Sequence, residues 1–371
     1  MLTNKLKKAD EFLYELGKKL NLLSLITPIN LMEEKEKFFA NLKYNPKFTY
    51  NIDLRTLEKI EKDLSTIEID TKFWQGFLLN QVKEKYENDC MLIKQIGSDV
   101  EEFMNLNQEK YISKLDLADQ EILLKAGEEL NEDKPLNPGT SYDAQKVLAI
   151  FNSFLKLNEI DWSVVIDKNL VPLLSVNYFQ KQIRINPLIN LTQIELERML
   201  IHEIETHIYR YLNGKNLFKT ASIGLKNYEK TAEGLAAYNE SLLFPQDKKF
   251  LRRFYFRYKA ILFGENNSFR KLYEYLRDEL EFGKEESWRT AVRVKRGISD
   301  TSTAGAFLKD RIYLQGYFSV RELTFSERKN LYKGKFSLEH LKSKKLNLDD
   351  DTMIPIPEYL PSIYSKLNEK K

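Results

Sequence analysis

Apolar residues recur every three or four positions along most of this chain, the spacing that gathers them on one face of a helix. Only a short central region changes to the alternate spacing of strands. Residues 5–24 set Leu6, Phe12, Leu13, Leu16 and Leu20 on one stripe with lysines between them, which predicts an amphipathic helix broken at 27–30. A second helix follows to about Lys43, then an aromatic loop over 44–50, then helices over about 54–65, 71–96, 98–111 and 115–131. Phe48 and Tyr50 in the loop are expected to pack into the core. Residues 131–139 are polar and rich in turn formers, which predicts a boundary. Beyond it a helix over 142–157 gives way to short strands at 162–166, 173–177 and 182–186, the last two a hairpin around 179–181. Residues 190–192 open a central helix, with Thr192 and Glu195 spaced as a capping box and Asn213-Gly214 as its stop. Helical spacing returns over 246–296, carried by Phe250, Leu251, Phe254, Tyr258 and Ile261, then Phe269, Leu272, Leu276 and Leu280, then a third helix bearing Trp288. Past Gly316 the pattern predicts short helices, an acidic turn at 349–351 and a tail with Pro355, Pro357 and Pro361 that either straps the body or stays poorly ordered.

These periods predict an α+β fold, predominantly helical. A helical N-terminal half (1–138) precedes a second half (139–345) with a small β-sheet beside the central helix, and a tail (346–371) follows. Composition narrows the classes: 371 residues with 42% hydrophobic and 30% charged can bury a sizeable core. A formal charge of +3 leaves no excess for a nucleic-acid footprint, and no uncharged apolar run reaches membrane-spanning length. The one cysteine, Cys90, excludes an intramolecular disulfide. With no signal peptide after Met1, it points to the cytoplasm.

The candidate chemistry sits in two stretches. Residues 201–210, IHEIETHIYR, place two of the three histidines beside a glutamate inside a helical pattern, while His340 stands alone near the C-terminus. A metal-activated water needs neutral imidazoles to hold the ion and a carboxylate to take the proton; His202, His207 and Glu203 supply those parts. Histidines four apart stand about 40° apart on an α-helix, but His202 and His207 are five apart, about 140°. Either the helix widens locally into a π-turn or it ends near His207. Residues 231–240, TAEGLAAYNE, read as the first turns of another helix with Thr231 as N-cap and Glu233 in the first turn. Two histidines and a glutamate with an open position make the ligand count of a catalytic zinc.

A third block, RVKRGISDTSTAGAFLKDRIYLQG over 293–316, joins these two. Together the three resemble the microtubule-associated tyrosine carboxypeptidase family, whose bacterial members are often labelled flavohaemoglobin expression-modulating proteins with a QEGLA motif. The resemblance runs from about Pro28 to about Leu341. It implies a zincin-like zinc metallopeptidase, a carboxypeptidase with an HExxxH motif that trims a C-terminal tyrosine or phenylalanine from a peptide or protein. It implies further that His202, His207 and Glu233 hold Zn2+, that Glu203 is the base, and that Phe48 and Tyr50 belong to a loop near the cleft. The chain departs from the family pattern at Glu205, where relatives usually carry glycine, and at Ala232, commonly Glu or Gln. The alternatives are an aminopeptidase or endopeptidase with the same zinc site, and a regulatory or scaffold protein that keeps zinc for stability.

An exopeptidase must recognise a free carboxylate, which an arginine fork does best. Arg293 and Arg296 are the candidates, with Lys295 next, in a block whose small and hydroxyl residues suggest a flexible rim. Tyr313 is a candidate donor to the tetrahedral oxyanion, with core packing as the competing role. Glu240, one heptad past Glu233, either orients a histidine or lies on the surface. Glu205 is expected to be solvated.

Overall fold

The computed structural model describes residues 3–113, 116–137, 139–168, 170, 172–343 and 354–364. The chain is predominantly helical with two small sheets, as an α+β pattern requires. No helix among the described residues is long and apolar enough to cross a membrane.

The first helix, Asn4–Gly17, buries Leu6, Leu13 and Leu16 on one face, and the Thr3 side chain caps it by accepting from the Leu6 N–H. It stops seven residues before the pattern predicts. Gly17 lies against Tyr86 so closely that a Cβ would stand 2.1 Å from the phenolic oxygen, and a separate turn, Leu22–Leu25, follows under its own cap, Asn21. The next helix, Leu31–Ala40, also ends short of Lys43. Helices Leu54–Ser65, Trp74–Lys94, Val100–Tyr111 and Asp119–Asn131 fall where the periodicity puts them, with Asp53 and Asp99 capping the first and third. Phe48 is buried against Phe269, and the Tyr50 hydroxyl accepts from the Gly297 N–H at 2.8 Å. The aromatic loop is thereby pinned to the segment that follows Arg296.

Helix Ala144–Leu157 precedes three short strands, β2 (Ser163–Ile166), β3 (Leu174–Asn177) and β4 (Gln182–Ile185). Their order is β2-β4-β3, with β4 parallel to β2 and antiparallel to β3. The hairpin turn uses a left-handed residue, Lys181 at φ 49°. Two strands escaped the sequence pattern: β1 (Ser141–Asp143) pairs antiparallel with β5 (Asn190–Thr192), so 190–192 is strand rather than the first turn of the central helix. The capping box forms as expected, with the Thr192 hydroxyl accepting from the Glu195 N–H and the Glu195 carboxylate accepting from the Thr192 N–H.

Two apolar clusters result. One joins the N-terminal helices to the helical run 249–318; the other gathers helix Ala144–Leu157, strands β2 to β4, the central helix, Tyr332 and Tyr364. Helix Tyr228–Leu243 lies on the seam, with Leu235 in the second cluster and Ala237 in the first. Its closest neighbour is helix Arg311–Arg321. At their crossing a Cβ on Gly234 would stand 2.2 Å from the Gly316 carbonyl carbon, and one on Gly316 2.2 Å from the Lys230 carbonyl oxygen. The glycine of the EGLA stretch is thus required by backbone contact.

The tail is a strap over its described part, 354–364. Asn213 accepts from the Glu358 and Tyr359 N–H groups and donates to the Tyr359 carbonyl at 2.9 Å, while Tyr364 packs on Tyr332. The acidic turn at 349–351 lies outside the described residues.

Because both obstacles at the glycine crossing are backbone atoms, Gly234→Ala and Gly316→Ala should each destabilise by about 1–3 kcal/mol through overpacking. Urea unfolding measures this; wild-type midpoints would show that the two helices can part freely.

Candidate metal centre

Residues 193–215 form one helix in three parts, α over Gln193–Met199, π over Leu200–Ile208 and α again over Tyr209–Lys215. The widened part spans both histidines. Hydrogen bonding between residues five apart brings His202 and His207 onto one side. The Thr206 hydroxyl donates to the Ile201 carbonyl five residues back at 2.8 Å, and Asn239 donates to that hydroxyl from the neighbouring helix. The helix passes Gly214 and ends at Lys215. Gly214 does not serve as a left-handed stop; a Cβ there would meet the Ala221 carbonyl oxygen at 2.7 Å.

Helix Tyr228–Leu243 begins one turn earlier than its sequence suggests, after left-handed Asn227. Thr231 is therefore interior, where its hydroxyl accepts from the Leu338 N–H at 2.9 Å, and Glu229 takes the first-turn place given to Glu233. This phase turns Glu233 toward the histidines. The Nε2 atoms of His202 and His207 lie 3.5 and 3.6 Å from one Glu233 oxygen, and one ligand atom from each residue falls within 4.8 Å of the others. Such a set could hold a metal ion. Glu240, fully buried, meets His202 Nδ1 at 2.6 Å and is itself approached by Arg253 at 3.3 Å. An ionised Glu240 makes Nδ1 the donor and leaves the Nε2 lone pair facing the centre.

Burial alone would depress His202, but hydrogen bonds to Glu233 and Glu240 hold its imidazole well above the ordinary value. His207 has no such second carboxylate, and burial pulls it down to about 4. Burial would raise Glu233; the Lys309 ammonium, 3.5 Å away, and the two imidazoles outweigh it and keep the carboxyl well below the usual range. Glu203, half-buried and without a hydrogen-bond partner among the described residues, is raised by burial, with Glu233 and Glu240 adding to the effect. The next acidic residue behaves otherwise: Glu205 is buried rather than solvated, and accepts from the Ser362 N–H and hydroxyl, both at 3.1 Å.

The block 293–316 separates its three cations. Arg293 forms a two-pronged bridge with Asp310, its Nη2–Oδ1 bond 2.8 Å long. Lys295 is fully buried and turns the other way, donating to the carbonyls of Gly264, Asn267, Thr303 and Gly305; burial pulls its amine down to about 7. Arg296 lies over the Phe307 ring at 4.7 Å, and its buried Nε has no hydrogen-bond partner among the described residues. The hydroxyls of Ser299 and Thr301 bond to the backbone of Phe48 and Pro46, so this rim is fastened and not flexible. Tyr313 stacks on Phe254, with Lys309 over its ring at 5.4 Å.

Periodicity missed several neighbours. Arg253 and Arg257 stand one turn apart in helix Lys249–Glu265, and Arg257 feels Arg293, Asp310 and Tyr313. Their four-residue spacing beside Phe254 was the available signal. Tyr178 and Lys335 have none.

A sequence profile of the microtubule-associated tyrosine carboxypeptidase family matches residues 36–371. Microtubule-associated tyrosine carboxypeptidase 1 of Mus musculus is 28% identical over 321 residues, 81% of this chain and 56% of the relative. Putative tyrosine carboxypeptidase MATCAP2 of Mus musculus is 29% identical over 356 residues, 91% of this chain and 59% of the relative. The chain thus spans little more than half the length of these relatives. Over a shorter stretch of 140 residues, 36% of this chain and 29% of the relative, identity to Microtubule-associated tyrosine carboxypeptidase 1 of Homo sapiens reaches 38%.

Glu240→Ala removes no ligand but frees the His202 ring, and should weaken metal affinity by about 10–100-fold. Competition with a chromogenic chelator gives the value; unchanged affinity would mean that the 2.6 Å bond does not orient the ring.

Proposed function

The chain belongs to the microtubule-associated tyrosine carboxypeptidase family, and on that premise we propose that it is a zinc-dependent carboxypeptidase, zincin-like in its catalytic half, that removes a C-terminal tyrosine or phenylalanine from a peptide or protein. The observation that carries this reading is the convergence of His202, His207 and Glu233 beside an unpartnered Glu203. His202, His207 and Glu233 would hold Zn2+, a donor set suited to that ion, with Glu240 fixing the His202 tautomer. When bound, the ion supplies Lewis acidity and lowers the pKa of water to about 7. Glu203, unpartnered beside the trio, would take the proton from the attacking water and later pass it to the leaving amine.

Recognition of the chain end is the other half of the proposal. Of the cations near the centre, Arg293 is engaged by Asp310, Arg253 by Glu240 and Lys309 by Glu233. Arg296 and Arg257 remain without a carboxylate partner among the described residues, and both are pulled down to about 10, chiefly by burial. They are the groups that a terminal carboxylate would pair with, while the Tyr313 ring, backed by the buried Phe254, would offer an aromatic wall for the last side chain. Edge strand β3 supplies a rail for an extended peptide, by analogy with peptidases that add the substrate as a strand.

A panel of peptides differing only at the C-terminus tests this by mass spectrometry. Loss of one terminal tyrosine or phenylalanine, abolished by a chelator, is expected. Internal cuts, N-terminal trimming or no cleavage would each overturn it. Amidating the terminus should lower kcat/KM by over ~100-fold, since a buried arginine then loses its partner, a loss of about 3–5 kcal/mol.

Glu203→Gln should reduce kcat by about 10²–10⁴-fold with full metal content, because Glu203 is not a ligand. Metal analysis alongside turnover separates loss of the base from loss of the ion.

A further inference from the structure

Lys309 sits in the 3-10 turn Leu308–Asp310, which runs straight into helix Arg311–Arg321. Both sides of the turn are fastened. The Phe307 N–H donates to the Val294 carbonyl at 2.7 Å, Leu308 is fully buried, and Asp310 forms its two-pronged bridge with Arg293. The helix that follows is pressed on the helix of Glu233 at the glycine crossing, where Gly234 comes directly after the carboxylate. Backbone contact therefore sets the separation between Lys309 and Glu233. From this base the buried Lys309 side chain places its ammonium over the Tyr313 ring, 5.4 Å from the centroid, and that ring is itself held by its stack on Phe254.

The ammonium ends 3.5 Å from Glu233 Oε1. The other oxygen, Oε2, faces the imidazoles, 3.5 Å from His202 Nε2 and 3.6 Å from His207 Nε2. One carboxylate thus divides its oxygens between two claims. No other carboxylate among the described residues lies within ion-pair distance of Lys309. An ammonium beside a cation site opposes the ion by like-charge repulsion, so a neutral side chain at this position would favour metal affinity. What the ammonium does instead is occupy an oxygen. A catalytic zinc keeps three protein ligands and one place for water, and a carboxylate that turned both oxygens inward would fill that place.

We propose that Lys309 is a positioning residue that holds Glu233 by Oε1, limits it to one metal-facing oxygen and so leaves room at the ion for water. This rests on the reading of His202, His207 and Glu233 as zinc ligands. The role is exerted through Glu233, so it changes how many oxygens the ion meets and not which residues bind it.

The test compares the wild-type chain, Lys309→Met and Lys309→Arg, each loaded with Co2+ for spectroscopy and with Zn2+ for affinity and turnover. Lys309→Met frees Oε1, so the intense visible bands of four-coordinate cobalt should weaken toward those of a higher coordination number. Zinc affinity, measured by chelator competition, should not fall, because a like charge has left and an oxygen has been gained. On a peptide ending in tyrosine, kcat should drop about 10–100-fold at unchanged KM. Lys309→Arg keeps a cation at Oε1 and should keep the wild-type spectrum. A crystal structure of the zinc-loaded wild-type chain gives a second reading that needs no variant: one Glu233 oxygen on the ion is expected, and two would overturn the role. Unchanged cobalt bands or unchanged kcat in Lys309→Met, weaker zinc binding, or a loss confined to KM, which would make Lys309 a substrate contact, would overturn it as well. Each of these leaves the zinc reading standing. A wild-type chain that takes up no metal sinks that reading, and the inference with it.

Discussion

Two histidines five residues apart can face one point only if the helix between them is wider than an α-helix, and much of this structure bears on that widened turn. The π segment Leu200–Ile208 gives up regular four-residue bonding over nine residues, and neighbours hold it open. The Thr206 hydroxyl takes the Ile201 carbonyl, Asn239 holds Thr206 from one side and also donates to the Tyr332 hydroxyl, and the C-terminal strap reaches Glu205 from the other. The burial of Glu205 is compatible with the turn because Ser362 supplies two donors, so the widened segment and the strap form one arrangement.

The second ligand element depends on a backbone contact. Helix Tyr228–Leu243 can press against helix Arg311–Arg321 because glycine faces glycine at the crossing, and this close approach fixes the height at which Glu233 enters the site. The same helix then delivers Glu240 two turns later to the back of His202. One rigid element thus sets both the candidate ligand and the group that orients another ligand, which is how a site keeps its geometry without a long loop. Both helices border the two apolar clusters, so movement at the site would disturb two cores at once.

Electrostatics divides the surroundings into satisfied and unsatisfied charge. Asp310 neutralises Arg293, Glu240 meets Arg253, and the Lys295 ammonium is surrounded by four carbonyls. Among the described residues, Arg257 and Arg296 remain without a carboxylate partner. Buried groups left unpaired in this way are costly in a folded chain unless an anion arrives to meet them.

The sequence by itself determined the helical character, the positions of most helices, the β3–β4 hairpin and the candidate trio, because apolar period, capping residues and histidine spacing are local properties of the chain. It also posed the choice between a widened turn and a helix end at His207, and physical reach alone demanded one of them. It could not say which of Arg293, Lys295 and Arg296 faces the site. Their partners, Asp310, the carbonyl cage and Phe307, lie at distances along the chain that periodicity does not register. Nor could it show that Glu205 is buried, that Gly234 is a contact and not a hinge, or that Tyr178 and Lys335 meet across 157 residues. Those outcomes depend on which surfaces the fold brings together, and only the tertiary structure decides that.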